Sequence, residues 1–198
     1  NLNIGNGGQS PFTIEALIQP NTISGNQEII CTDSSGGSRA FQFRISAGAL
    51  QFSFITGGQA ITLPIPTTGP QAFVAGNWYH VAVTYDGATA TLYWTKLDPA
   101  NGAANALGTQ SLTLGTASGA VVGPLCIGNE NRAAAGEQFM GSIDEVRISN
   151  IARSSGQMQF FSPLVTITAN PISQNVDYNQ SVTFNVGASS QFPLGYQW

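Results

Sequence analysis

Side chains that turn apolar at every second position constrain this chain more than any other feature. Phe12, Ile14, Ala16 and Ile18 alternate with Thr13, Glu15 and Leu17. Phe41, Phe43 and Ile45 alternate with Gln42 and Arg44, and Leu50, Phe52 and Phe54 with Gln51 and Ser53. Successive side chains of a strand point to opposite faces, so each run describes a strand with one buried face. Val81, Val83 and Tyr85 follow the same rule and lead through Asp86-Gly87 into Ala90, Leu92 and Trp94. A tight hairpin turn needs positive φ, which Asp-Gly supplies, so this stretch predicts a β-hairpin. A short edge strand is predicted at 61–65, inside a loop rich in Gly, Pro and Thr at 56–76. The only helical signal is a turn or two at 154–160. The predicted fold class is all-β, a sandwich of two antiparallel sheets.

Gly, Pro and Ser interrupt the pattern near Phe161-Ser162-Pro163, and a new alternating segment begins at Val165-Thr166-Ile167-Thr168. Two domains are therefore expected, at 1–162 and 163–198, the second with a further strand at 181–186. Two other loops stand out in the first domain: an Ala/Asn/Gly insertion at 98–108 and a charge-bearing segment at 129–138. Loops on a rigid scaffold often carry recognition, although Ala/Gly loops also serve as solvated spacers.

Only 8% of the residues are charged, against roughly 25% in ordinary soluble proteins. Ser, Thr, Asn, Gln and Gly supply the polarity, which suits a sheet surface outside the cell. A net charge of −4, one lysine (Lys96) and five scattered arginines give no basic surface for phosphates, which excludes nucleic acid as a partner. No apolar run reaches the roughly 18 residues of a bilayer-spanning helix, so membrane insertion is not expected. The chain opens at Asn1, which is expected of a processed or truncated piece. Cys31 and Cys126 both lie in apolar strand-like runs. They are expected either as two buried thiols or as one bridge between neighbouring strands.

Four blocks resemble laminin-G-like and pentraxin-like jelly rolls of the concanavalin type. They are Pro11–Ala16 (Pro-Phe-Thr-Ile-Glu-Ala), Gly76–Gly87 (Gly-Asn-Trp-Tyr-His-Val-Ala-Val-Thr-Tyr-Asp-Gly), Leu125–Gly128 (Leu-Cys-Ile-Gly) and Phe139–Ile148 (Phe-Met-Gly-Ser-Ile-Asp-Glu-Val-Arg-Ile). They occur in the family's order across residues 10–150. The family has a strand before the first block where this chain has only residues 1–10, so a missing edge strand is expected. The family's second Asp-Gly is replaced by Lys96-Leu97-Asp98-Pro99. The tail resembles bacterial immunoglobulin-like repeats through Asn170-Pro171, Ser181-Val182-Thr183-Phe184 and the approach to Trp198, and would be an incomplete domain.

The resemblance implies a structural Ca²⁺ bound by Asp144 with backbone carbonyls, a hard ion matched by oxygen ligands. Asp144 is expected to share a strand face with Val146 and Ile148, where its charge needs neutralising or hydrogen bonding. Gly128-Asn129-Glu130-Asn131-Arg132 occupies the place of the pentraxin segment that binds paired calcium ions and, through them, ligand. Glu130 and Asn131 are the ligand-binding candidates, while Arg132 stands where an aspartate would be. Ser38-Arg39 falls near the place of the partner Asp-Asn pair. Catalysis is not expected. Asp144 and Glu145 are strand neighbours pointing apart, the alternating Glu-x-Asp-x-x-Glu of β-glucanases is absent, and His80 has no Gly-x-Ser-x-Gly nucleophile to serve. Trp78 and Trp94 are expected to pack in the core rather than stack on sugar. The expected function is extracellular or cell-surface recognition or adhesion, with a glycan or a protein bound through the loops. The alternative is a structural spacer or assembly subunit, self-associating through strand edges of the C-terminal segment.

Overall fold

The computed structural model describes residue 4 and residues 10–33, 39–55, 58–98, 101–112, 123–131, 136–158 and 166–189. The chain divides into two compact units, Asn1–Phe161 and Ser162–Trp198. In the first unit, the predicted alternation resolves into two five-stranded antiparallel sheets. One sheet holds β1 (Phe12–Pro20), β6 (Tyr79–Tyr85), β7 (Thr89–Lys96), β8 (Ala106–Ser111) and β10 (Gly141–Ser149), in the order β10-β1-β6-β7-β8. The other holds β2 (Asn26–Thr32), β3 (Phe41–Ser46), β4 (Ala49–Phe54), β5 (Gln59–Pro64) and β9 (Leu125–Ile127), in the order β5-β4-β3-β2-β9. The fold is an all-β jelly-roll sandwich.

The hairpin forms as expected. Gly87 has φ 106°, and the Asp86 carboxylate accepts the Ala88 and Thr89 amides at 2.9 and 2.7 Å. The edge strand expected at 61–65 is β5. The helical signal reduces to one 3-10 turn at Ser155–Gln157. Gly141 opens β10 at φ 154°, so close to β1 that a Cβ would lie 2.1 Å from the Gln19 carbonyl oxygen. Only glycine fits there.

Two stretches differ from the sequence expectation. The insertion at 98–108 was expected to be loop throughout, yet β8 begins at Ala106. This edge strand is largely exposed, and its pairing with β7 slips between Leu92 and Tyr93, so no apolar alternation marks it. In the second unit a strand was expected at 181–186. Instead Gly187–Ser189 (β12) pairs with Thr166–Ala169 (β11). Val182 and Phe184 stay exposed, and among the described residues of this unit no second sheet faces them. The approach to Trp198 lies outside the described residues.

The core is the seam between the sheets. Phe12, Ile14, Ala16 and Ile18 of β1 meet Phe41, Phe43, Leu50 and Phe52 of the opposite sheet, all essentially without solvent exposure. Phe52 is central: its ring lies 5.4 Å from Phe12, 4.9 Å edge-on from Phe54 and 6.1 Å stacked from Phe41. Tyr79 stacks on Trp94 at 4.4 Å, which puts Trp94 in the core as expected. Phe52→Ala should therefore destabilise the domain by about 3–5 kcal/mol, read from urea unfolding followed by circular dichroism. A loss below about 1 kcal/mol would mean that the rings are not packed as described.

Candidate functional site

A bulge in β2 determines what the outer face of the second sheet carries. The register slips between Glu28, opposite Arg44, and Ile30, opposite Phe43. The extra residue lets Ile29 and Ile30 both be buried while Glu28 and Cys31 both face outward. Glu28, Arg44, Gln51 and Thr62 then form one cross-strand row. Arg44 Nε donates to Gln51 Oε1 at 2.8 Å, and Gln51 Nε2 donates to Thr62 Oγ1 at 2.8 Å. At one end of this face, Ser46 Oγ donates to Asn26 Oδ1 at 3.0 Å. Each side chain is held by its neighbour, so the row presents polar groups in fixed positions.

Beside the row lies a buried charge network centred on Arg39. Its Nη1 donates to Glu28 Oε1 at 3.1 Å, its Nη2 to Glu137 Oε2 at 2.6 Å and to Glu130 Oε2, and its Nε faces Asp33 Oδ2 at 3.5 Å. Arg44 Nη1 reaches Glu137 Oε1 at 2.9 Å, and Gln42 donates to Glu28 at 2.7 Å. The Arg39 side chain is only 4% exposed. Burial pushes the Glu28 carboxyl up to about 8, against the opposing pull of Arg39 and Arg44. Burial also acts to raise Glu137, but its hydrogen bond to Arg39 and the two guanidinium charges outweigh that and hold it below its usual range.

Glu130 is thus a member of the network, where Oε1 also accepts the Gly136 amide at 3.1 Å. Asn131 is exposed, and its backbone amide donates to Asp33 Oδ2 at 3.2 Å. Arg132 and Ser38 lie outside the described residues. Asp144 sits elsewhere, on β10 opposite Leu17. A bulge places two β10 residues, Glu145 and Val146, opposite Ala16. Asp144 therefore shares its face with Arg147 rather than with Val146 and Ile148, which corrects the simple alternation. It is exposed, its Oδ1 accepts the Glu145 amide at 2.8 Å, and Glu145 has φ 50°.

The surroundings of Glu130 do not fit the paired calcium ions that the family resemblance implies. Glu130 and Asp33 are turned to Arg39. Among the described residues, no three His, Cys, Asp or Glu side chains converge in metal-binding reach. Cys31 and Cys126 are directly opposite across β2 and β9, and both are thiols in this structure. Burial raises the pKa of each above that of an ordinary thiol. The sequence does not reveal that Arg39 pairs with Glu28. The available signal is a charged residue, Glu28, at the head of the apolar run Ile29-Ile30-Cys31.

The outer face of the first sheet is covered over its middle strands. Tyr93 and Ala82 are covered by Ala104 and Met158, and the Ala104 amide donates to the Ser155 carbonyl at 3.0 Å. Beneath this cover, His80 Nε2 lies 3.1 Å from Glu15 Oε2, with neither side chain exposed. Arg147 and Arg153 approach Glu15 at 4.0 Å. A histidine sealed in this way has no route to a substrate. Trp78, at the margin of the same face, is half-buried.

One end of the sandwich is open instead. Thr22, Ile23, Ser24, Gly25, Ala47, Gly48 and Phe73 line a shallow depression of about 450 Å³. Gly25 and Ala47 are the chain neighbours of Asn26 and Ser46, so the depression adjoins the end of the polar face. Phe73 anchors one side by packing on Tyr79, with ring centres 6.3 Å apart.

Residues 2–159 match the laminin G family described as the concanavalin A-like lectin/glucanases superfamily. The chain belongs to that family. No curated protein matches it. Among solved structures it is similar to a heptameric SAP-like pentraxin from Limulus polyphemus, at 18% identity and TM-score 0.55, over 75% of this chain and 68% of that one. A Ruminococcus gnavus sialidase CBM40 bound to α2,3-sialyllactose matches at 17% identity and TM-score 0.55, over 75% and 80% of the two chains. Domains LG4-5 of the mouse laminin α1 chain match at 14% identity and TM-score 0.50, over 77% and 39%. At these identities the likeness is one of fold.

The protonated Glu28 gives this laminin-G-like domain a defined pH response. A carboxyl that holds its proton more tightly when folded contributes stability that is complete below its unfolded value and lost as pH rises through its folded value. Melting temperature should therefore fall between pH 4.5 and about 8. Glu137, shifted the other way, acts only on the acid side of that window. Glu28→Gln should flatten the fall. Equal slopes in the two proteins would show that Glu28 is not the group responsible.

Proposed function

We propose that this chain is a non-catalytic, extracellular recognition module that binds carbohydrate at the loop-lined end of its sandwich. The observation that carries this reading is the meeting of an open, largely apolar depression with a row of pre-set polar side chains. A sugar ring presents C–H faces and hydroxyls together, so it needs both kinds of surface side by side. Phe73 and Ile23 offer the apolar wall, while Asn26, Ser46, Gln51 and Thr62 offer amide and hydroxyl groups. The groups stand on rigid strands, so little ordering entropy remains to oppose binding. The sialyllactose-bound CBM40 supports a glycan ligand for this architecture. The sealed His80–Glu15 pair supports a module without catalysis.

A glycan panel followed by calorimetry tests the reading. A ligand found there should bind Phe73→Ala about tenfold more weakly, a difference of about 1.4 kcal/mol. Gln110→Ala, on the far edge strand β8, should leave affinity unchanged. Absence of any glycan ligand, or equal affinity in Phe73→Ala, would overturn the assignment.

A second reading, self-association, is favoured by the second unit. There Ile167, Ile172, Val176 and Tyr178 are exposed by half or more. We read this unit as part of an immunoglobulin-like domain whose apolar side chains seek a strand partner. Concentration-dependent sedimentation would support it, and a monomer at all concentrations would exclude it.

A further inference from the structure

Arg39 joins, through its side chain, two pieces of chain that are far apart in sequence. Glu28 and Asp33 belong to β2 and the residue that follows it, whereas Glu130 and Glu137 belong to the 129–138 segment. Four acidic side chains converge on one guanidinium, and every nitrogen of its fork faces at least one of them. Three of these acids, Glu28, Asp33 and Glu130, are almost completely buried, and Glu137 is 19% exposed. Such a group of acids is unstable without a cation, because every ionised member loses its water and repels the others, while Glu28 relieves part of that repulsion by keeping its proton. A divalent ion would be the ordinary solution for oxygen ligands drawn from a strand and a loop.

We propose that Arg39 is a built-in replacement for a divalent cation, so that the 129–138 segment is fastened to the second sheet without calcium. The guanidinium is always charged and offers five donors in a plane, which suits several carboxylates at once. Arg44 extends the same role: it binds the outer side of Glu137, and its Nη1 lies 3.6 Å from Glu28. The backbone adds a second fastening at the same place, since the Glu28 amide donates to the Glu137 carbonyl at 2.7 Å. Asn131 completes the attachment through its amide on Asp33. The segment is thus held at both ends by acids that answer to one arginine. The cation cannot be removed by a chelator, and its affinity does not depend on the calcium level around the protein.

The consequence is a latent metal site. Shortening Arg39 to a neutral, oxygen-bearing side chain removes the resident charge and leaves the carboxylates of Asp33, Glu130 and Glu137 pointing at the vacated space, with Glu28 beside them. No three of these acids stand in metal-binding reach as placed around the guanidinium, so they must close into the vacated space, and a hard divalent ion is the partner that their oxygens then select.

Thermal melting of the wild type, Arg39→Asn and Arg39→Lys tests this. Each is measured with about 1 mM EDTA, with about 5 mM calcium chloride, above the roughly 0.1–1 mM affinities of extracellular calcium modules, and with sodium chloride of equal ionic strength. The wild type should melt at the same temperature in all three. Arg39→Asn should melt lower by roughly 10 °C in EDTA. Calcium, but not sodium, should restore much of that loss. Arg39→Lys keeps the charge and should remain indifferent to calcium. If Arg39→Asn fails to fold in EDTA, its recovery of sheet signal on adding calcium is the supporting result. The proposal is overturned if calcium raises the melting temperature of the wild type, or if Arg39→Asn gains no more from calcium than from sodium.

Discussion

Everything in the first unit depends on the closure of two sheets over a seam of aromatic rings. Phe12 from one sheet enters between Phe52 and Phe54 of the other, within 5.8 Å of both. Ring pairs of this kind bury large apolar areas and add edge-to-face contacts that fix relative position. With the inner faces fully occupied, the chain has only outer faces, edges and loops with which to do anything else. The two outer faces are used in different ways. One is covered over its middle strands by the chain itself, through Ala104 and Met158 lying over Ala82 and Tyr93. The other stays partly open and carries polar groups.

A chain with so few charges concentrates them. Arg39 and Arg44 share Glu28 and Glu137 on one sheet, and Arg147 and Arg153 approach Glu15 on the other. Buried ion pairs contribute little net stability relative to apolar packing, because desolvation offsets their attraction. Their value is in specificity: a misplaced 129–138 segment would take Glu130 and Glu137 from the buried Arg39 and leave its Nη2 without an acceptor. Glu28 shows how finely this is balanced. It sits within reach of two guanidinium groups, yet burial still prevails and keeps it protonated near neutral pH.

Strand positions were legible because one face of each strand had to be apolar, and period-two alternation records that directly. Phe41, Phe43 and Ile45 are buried as the pattern requires, and so are Val81, Val83 and Tyr85. In the first unit, face assignments fail where the register slips. The β2 bulge at Ile29, the β10 bulge at Glu145 and the β8 slip all shift the count by one residue. A one-residue shift reverses every face assignment beyond it, which is why Asp144 was assigned to the wrong face. The Arg39 network was invisible for another reason. Its members come from positions 28, 33, 39, 130 and 137, and only the antiparallel partnership of β2 and β9 brings the distant pair to the near three. In the sequence, Arg39 stands out only as falling near the place of an Asp-Asn pair that the resemblance implies. In the fold it occupies the centre of the acids.

These features bear on what the open face can recognise. Arg39 and Arg44 are neutralised by acids within the network, so neither guanidinium is available to attract an anionic group from solution. What remains toward solvent is amide and hydroxyl chemistry: Gln51, Thr62, Ser46 and Asn26. Such groups discriminate by the placement of donors and acceptors rather than by charge. A mispositioned ligand hydroxyl leaves a fixed donor or acceptor without its partner, and that loss exceeds what a correctly placed bond contributes. The same rigidity that holds the row against its neighbours is therefore what would make it selective. It would read the stereochemistry of a neutral, hydroxyl-rich ligand, while long-range attraction, in a chain of net charge −4, plays little part.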